Sequence, residues 1–194
     1  MKIVIIEGTD NVGKDTVIMQ LLSKFPVTKV MHCEKPKAST PKEQASEQLV
    51  SFMKLAQENI ADNVRGNIDC IIHNRSWYGE YVYGCMYRQN EPKHVVDMIH
   101  VLEKHLLRNI DEKDIVYITL LSNSAEFLVR NDDGLSLSNA KAEKIVEETK
   151  RFEEIHKLSL LKNKHIIYVN DGESFRTKEA IMDDIMAAIK NTVD

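Results

Sequence analysis

The chain has 194 residues, 43 % of them hydrophobic, which is enough apolar material for a full core and, by length, favours one domain over residues 1–194. Lysine and arginine number 26 against 30 acidic residues, a net charge of -4, which counts against a broad nucleic-acid surface. No apolar run approaches the roughly 20 residues a membrane span needs, and the three cysteines, Cys33, Cys70 and Cys85, have neither disulfide-frame nor zinc-site spacing; the expectation is a reduced, cytoplasmic protein that begins directly in its fold, with no leader.

Residues 2–6 (KIVII) form a β-branched apolar run, the composition of a strand buried on both faces. It ends in Glu7-Gly8, and Gly8 opens the spacing G-x-x-x-x-G-K, completed by Gly13 and Lys14 and followed by Asp15 and Thr16. Val17, Ile18, Leu21, Leu22 and Phe25 then recur at three and four residues, so a helix starts near Lys14. Strand, glycine loop and helix N-terminus in that order suit a polyphosphate. The glycines let the backbone curl so that N–H groups point inward, the helix adds unpaired amides and a positive dipole end, and Lys14 reaches the terminal phosphates. Gly8, Asn11, Val12, Gly13, Lys14, Asp15 and Thr16 are therefore the expected ATP-binding residues. The position after the lysine usually carries a hydroxyl for Mg²⁺; here it is Asp15, a carboxylate that also suits a hard cation, so Asp15 and Thr16 are the metal candidates.

A second strand is expected over 27–32, ending before Glu34 and Pro36, and an amphipathic helix over 41–64, opened by Pro41 and closed by Gly66. Residues 68–73 read as a third strand running into Asn74-Arg75-Ser76. Helices follow near 81–87 and 94–107, a fourth strand at 114–121, a short helix at 125–129, a polar loop at 130–138, a long helix at 139–158, a fifth strand at 165–169 and a last helix at 178–189. Five apolar strands alternating with helices predict an α/β fold, a parallel sheet covered on both faces, with ligands at the strands' carboxyl ends.

The ends of the first three strands resemble the thymidylate-kinase-like P-loop nucleotide kinases. The opening IEGTDNVGKDT is similar to that family's E-G-x-D-G-x-G-K-[ST]-T, with Glu7, Gly8, Asp10, Gly13, Lys14 and Thr16 matching. Cys33-Glu34-Lys35-Pro36 resembles its E-P segment with one residue inserted, Asn74-Arg75 its Asp-Arg, and Tyr83 the tyrosine of its A-Y-Q. Ala56 and Gly84 stand where the family's thymine-reading arginine and glutamine would be. Asn74-Arg75-Ser76 with Tyr78 also resembles the E-R-S segment of deoxynucleoside kinases, in which the glutamate after the second strand takes a proton from a 5′-hydroxyl; Asn74 departs from that pattern.

The resemblance implies a P-loop NTPase fold with a short lid at about 130–138, and ATP- and Mg²⁺-dependent phosphoryl transfer to a deoxynucleoside monophosphate. Lys14, Arg75 and Arg130 are the candidate catalytic cations, Arg130 as an arginine finger from the lid. Asp10, Glu34, Phe52, Arg75, Tyr78 and Tyr83 are the candidate acceptor contacts, the aromatics for stacking on a base. The alternatives are a deoxynucleoside kinase with Glu34 as base, a kinase acting on a modified base in DNA, and a nucleotide-binding module without an acceptor. The expected partner is a small-molecule nucleotide, with no membrane; a homodimer through the 41–64 helix stays open.

Overall fold

The computed structural model describes residues 1–33, 36–134, 136–139, 141–172 and 174–190. Its centre is a five-stranded parallel sheet in the order β2-β3-β1-β4-β5. The strands are β1 (Lys2–Gly8), β2 (Thr28–His32), β3 (Cys70–Asn74), β4 (Ile115–Leu121) and β5 (Lys164–Tyr168). Register is set by apolar pairs such as Ile3 with Ile71 and Val4 with Val116.

Both faces of the central strands are buried, and the alternation of side chains divides the core in two. Val4 and Ile6 point to one side, under α1 (Lys14–Leu22) and, near the C-terminus, α7 (Lys178–Lys190). Ile3 and Ile5 point to the other, under α2 (Pro41–Arg65) and α4 (Pro92–Leu107). Pro41 opens α2 as predicted. Thr40 caps it by accepting from the Glu43 N–H, and its hydroxyl donates to the Glu43 carboxylate at 2.7 Å. Gly66 closes it in the left-handed conformation, φ 67°. The remaining helices are α3 (Cys85–Tyr87), α5 (Ala125–Arg130) and α6 (Ala142–Leu158).

Three details depart from the sequence expectation. The predicted helix at 81–87 begins with a π-helical turn, Glu80–Gly84, before α3. The long helix expected from 139 starts at Ala142. A hairpin, β6 (Asn170–Asp171) and β7 (Ser174–Phe175), sits between β5 and α7 where no strand was expected. No helix among the described residues is long and apolar enough to cross a membrane.

The strand order decides where a ligand belongs. From β1 the chain goes to β2 and then back to β3 on one side, then to β4 and β5 on the other. The crossovers therefore part at the carboxyl end of β1, and a crevice opens there.

Candidate nucleotide site

The loop from Gly8 to Lys14 fills that crevice. Gly8 is imposed by its neighbour strand: its φ is 144°, and a Cβ there would lie 2.0 Å from the Leu120 carbonyl oxygen of β4. Asn11 and Gly13 are left-handed, at φ 63° and 80°. Asparagine is among the few residues that tolerate that region, so it stands where the family pattern often has glycine. Left-handed residues in a turn make a concavity of N–H groups suited to an anion. Val12 is buried and pins the loop to the core.

Lys14 is the first residue of α1, and its Nζ donates to the Gly8 carbonyl at 3.0 Å and to that of Thr9. Burial, helped by the positive charge of Arg75, pushes its ammonium down to about 8 against the pull of Asp10, Glu7 and Asp15. Asp15 and Thr16 are exposed on the first turn of α1. Asn74, at the end of β3, donates to Asp15 Oδ1 at 2.7 Å. Lys14, Asp15 and Thr16 line a cavity of about 470 Å³ over the loop, with Asp10, Arg75, Asp133 and Phe175 on its other walls.

Arg75 follows β3 with φ 67°, an uncommon conformation for a residue with a side chain and a local strain of about 1 kcal/mol. Its amide donates to Ile6 O at 3.1 Å, its guanidinium pairs with Asp10, and its Cζ lies 5.4 Å from the Tyr83 ring centroid. Burial would push Asp10 up, but the charges of Arg75 and Lys14 outweigh it and hold the carboxyl below its usual range. Glu7 fixes the same corner from below. Its Oε1 accepts from the Ser76 amide at 2.6 Å, the Ser76 hydroxyl at 2.9 Å and the Gly79 amide at 3.3 Å. Burial raises its pKa despite these bonds.

A second cavity, about 150 Å³, adjoins the first across Arg75. Phe52 of α2 and Tyr83 of the π turn wall it, with Pro36, Gln48, Glu80 and Arg88. Phe52, Arg75 and Tyr83 thus line one cavity. Tyr78 does not. It is fully buried, its ring is stacked on Tyr117 at 4.0 Å, and its hydroxyl donates to Glu103 at 2.7 Å, so it is a core residue and cannot stack on a base. Trp77 is likewise core. Arg130 is exposed at the end of α5 and does not line the loop cavity, although its neighbours Asn131 and Asp133 do. Glu34 lies outside the described residues.

The segment after α5 is tied to the loop at two points. Asn11 Nδ2 donates to Asp132 at 3.2 Å, and the Leu137 amide donates to Asp10 at 3.4 Å. On the other side of Gly13 and Thr16 lies an apolar slot of about 320 Å³, lined by Val12, Val17, Gln20 and Ile181. Phe175 of the hairpin, 46 % exposed, borders both this slot and the loop cavity. The sequence reading passed over Phe175, although the Asp171-Gly172 dipeptide before it is a hairpin signal.

Among solved structures, three relatives span nearly the whole chain. The YorR protein of Bacillus subtilis, in complex with phosphorylated GDP, has a TM-score of 0.65 at 16 % identity, covering 97 % of this chain and 96 % of that one. The thymidylate kinase of Candida albicans has a TM-score of 0.63 at 14 % identity, covering 97 % and 91 %. The fold is that of the P-loop nucleotide kinases. A deoxyadenosine kinase of M. mycoides with bound dATP shares it at a TM-score of 0.55 and 14 % identity, covering 98 % and 100 %. No protein-family model and no curated protein sequence matches the chain. The P-loop kinase fold gives the cavity over Gly8–Thr16 its place in the sheet; the residues around it give it its chemistry.

A Mg²⁺ site fits these residues in the manner usual for phosphate-bound magnesium. Among the described residues no three His, Cys, Asp or Glu side chains converge to hold a metal alone. Mg²⁺ beside a nucleotide takes one or two protein oxygens, with phosphates and waters supplying the rest, and Asp15 and Thr16 present such oxygens at the loop cavity.

Proposed function

We propose that the chain is an ATP- and Mg²⁺-dependent kinase acting on a nucleoside monophosphate, with deoxynucleotides the favoured class. One observation carries this reading: Arg75 lines both cavities, so a single half-buried guanidinium faces the loop on one side and the second cavity on the other. A phosphate held at each side would meet at that residue.

Phosphoryl transfer asks the protein chiefly for alignment and positive charge. The loop amides and Lys14 hold the triphosphate. An acceptor phosphate oxygen forms the new bond to the γ-phosphorus as the bond to the bridging β,γ-oxygen breaks, giving a nucleoside diphosphate and ADP. Arg75 grips the acceptor phosphate and offsets charge on the moving group. Asp15 and Thr16 would hold Mg²⁺, which supplies charge neutralisation between the phosphates. Phe175 offers a face to the donor base at the mouth of the apolar slot. Arg130 reaches the phosphates only if the segment after α5 closes further.

A monophosphate acceptor needs no strong base. The described carboxylate that lines the second cavity, Glu80, is already engaged by Arg88 and Asn90, and Asp10 of the loop cavity by Arg75 and the Leu137 amide. That favours a monophosphate over a nucleoside hydroxyl, whose proton would need a receiver. No lysine among the described residues lines the second cavity, which favours a small acceptor over DNA. The same reading includes a homodimer across α2 and α4, where Leu49, Met53 and Val101 are exposed along a groove; sedimentation velocity tests it.

The test is acceptor-dependent ADP release from ATP·Mg²⁺ with a panel of deoxynucleoside monophosphates, nucleosides and DNA. Stimulation by a monophosphate with the diphosphate as product supports the proposal. Stimulation by nucleosides alone transfers the activity to the 5′-hydroxyl and makes Glu34 the base to test. ATP binding with no stimulation by any acceptor refutes the kinase reading.

A further inference from the structure

The second cavity is bordered by two guanidiniums, and only one belongs to the phosphate machinery. Arg75 is shared with the loop cavity; Arg88 is not, so the cavity runs away from the reacting end towards Arg88. Arg88 is a costly residue to place there. Its side chain is 15 % exposed, its Nη2 donates to Glu80, itself 5 % exposed, and its Nε–H is buried without a partner among the described residues. A guanidinium has five N–H donors, and Glu80 takes one of them, so Arg88 at the cavity wall keeps donors for a ligand acceptor.

The surrounding chain is shaped to hold this guanidinium. Glu80 takes Arg88 on one oxygen and Asn90 Nδ2 on the other. The amides of Arg88 and Asn90 both donate to the Gly84 carbonyl, at 3.0 and 3.1 Å, and Gln89 between them is left-handed at φ 60°. Any Cβ at Gly84 would lie 2.4 Å from Glu80 Oε1 and 2.7 Å from Asn90 Nδ2. The π turn, the glycine and the strained Gln89 thus all serve one cluster, and π turns concentrate at functional positions.

We propose that Arg88, positioned by Glu80, reads the edge of the acceptor's base, and that this edge carries a keto oxygen. The proposal rests on the second cavity being the acceptor site. Arginine has donors and no acceptor. A keto oxygen at the 4-position of a pyrimidine or the 6-position of a purine accepts from it, whereas an amino group there sets donor against donor. Phe52 supplies an apolar wall for the ring, and Arg75 the phosphate end. The thymine- and uracil-type bases and the guanine-type base share this chemistry, and the test separates them.

Binding and transfer are measured in parallel for dTMP, dUMP, dGMP, dCMP and dAMP, by calorimetry and by ADP release. The wild-type chain is expected to bind a keto nucleotide at least about tenfold more tightly than its amino counterpart, the loss usual for one charged hydrogen bond. The double variant Arg88→Met/Glu80→Gln removes both charges together, so no buried carboxylate is left unpaired. It is expected to lose that preference through binding and KM, with kcat for the best acceptor changed far less. Arg88→Lys, which keeps the charge and loses the fork, also lowers the ratio, and serves where the double variant does not fold. A pyrimidine preference and a guanine preference each satisfy the proposal and name the base. Tighter binding of dCMP or dAMP by the wild type, or an unchanged ratio in the variants, overturns it. Arg88-dependent binding of keto nucleotides without transfer refutes the kinase reading and leaves the base assignment standing.

Discussion

Raising the pH past 8 should weaken ATP binding, and the cause lies at Lys14. In the free protein burial brings its ammonium down to about 8, with Arg75 acting in the same direction. A bound triphosphate adds several negative charges beside Nζ and restores the proton's affinity, so binding takes up a proton wherever the free lysine has lost one. With a value near 8 the free ammonium is about nine-tenths populated at pH 7 and about one-tenth at pH 9. Affinity therefore falls about tenfold across that interval, or about 1.4 kcal/mol. The last proton of a phosphate, with a pKa of about 6, is already gone and does not contribute. Isothermal titration at pH 7 and 9, in buffers of different ionisation enthalpy, reads both quantities. Proton uptake should rise from about 0.1 to about 0.9 per ATP. Lys14→Met should bind weakly at both values, with no uptake. Equal wild-type affinity at pH 7 and 9 with no proton uptake would refute the placement of Lys14 against the phosphates.

Three further outcomes follow from buried groups. Tyr78→Phe removes a hydroxyl bonded to the Glu103 carboxylate and should cost about 1.5–3 kcal/mol in urea unfolding, with both KM values unchanged; a raised acceptor KM would return Tyr78 to the site. Acid should destabilise the protein through His73, whose imidazole burial, then the charge of Lys29, bring down to about 3. Its unfolded value is about 6.5, so stability is full above that pH and is lost as the pH falls towards 3, by about 2 kcal/mol at pH 5. His156, brought to about 4 chiefly by burial, acts in the same sense, and a Tm unchanged between pH 7 and 5 would contradict both. Gly8→Ala places a methyl against the Leu120 carbonyl and should cost roughly 3 kcal/mol or more; a variant melting like the wild type would show that β1 can move away from β4.

The sheet, the loop and the capped α2 were legible because their signals are local. An apolar run, a glycine spacing, or a proline start and glycine stop specifies itself. The wall of the second cavity was legible only in part. Phe52 and Tyr83 were identified with Tyr78, but helical spacing cannot rank aromatics across Glu80–Gly84, where the π turn inserts a residue and shifts every later side chain around the axis. Tyr78 was settled by Glu103 and Tyr117, which are distant in sequence. Arg88 carried no signal in the sequence, because the glutamate that buries it lies eight residues back, across the same turn. The hairpin carrying Phe175 has two residues per strand, too few for alternation to register.

The two oxygens of Asp10 hold different parts of the molecule: Arg75 on one, and the Leu137 amide of the segment after α5 on the other. A phosphate that draws Arg75 away leaves that carboxylate with a single partner in the covering segment, so occupancy below changes the grip above. Linkage then makes the effect mutual: whatever factor an acceptor imposes on closure, closure imposes on the acceptor's affinity. The two substrates should consequently show synergy in binding, and Asp10→Asn, which weakens both connections at once, should make their dissociation constants independent.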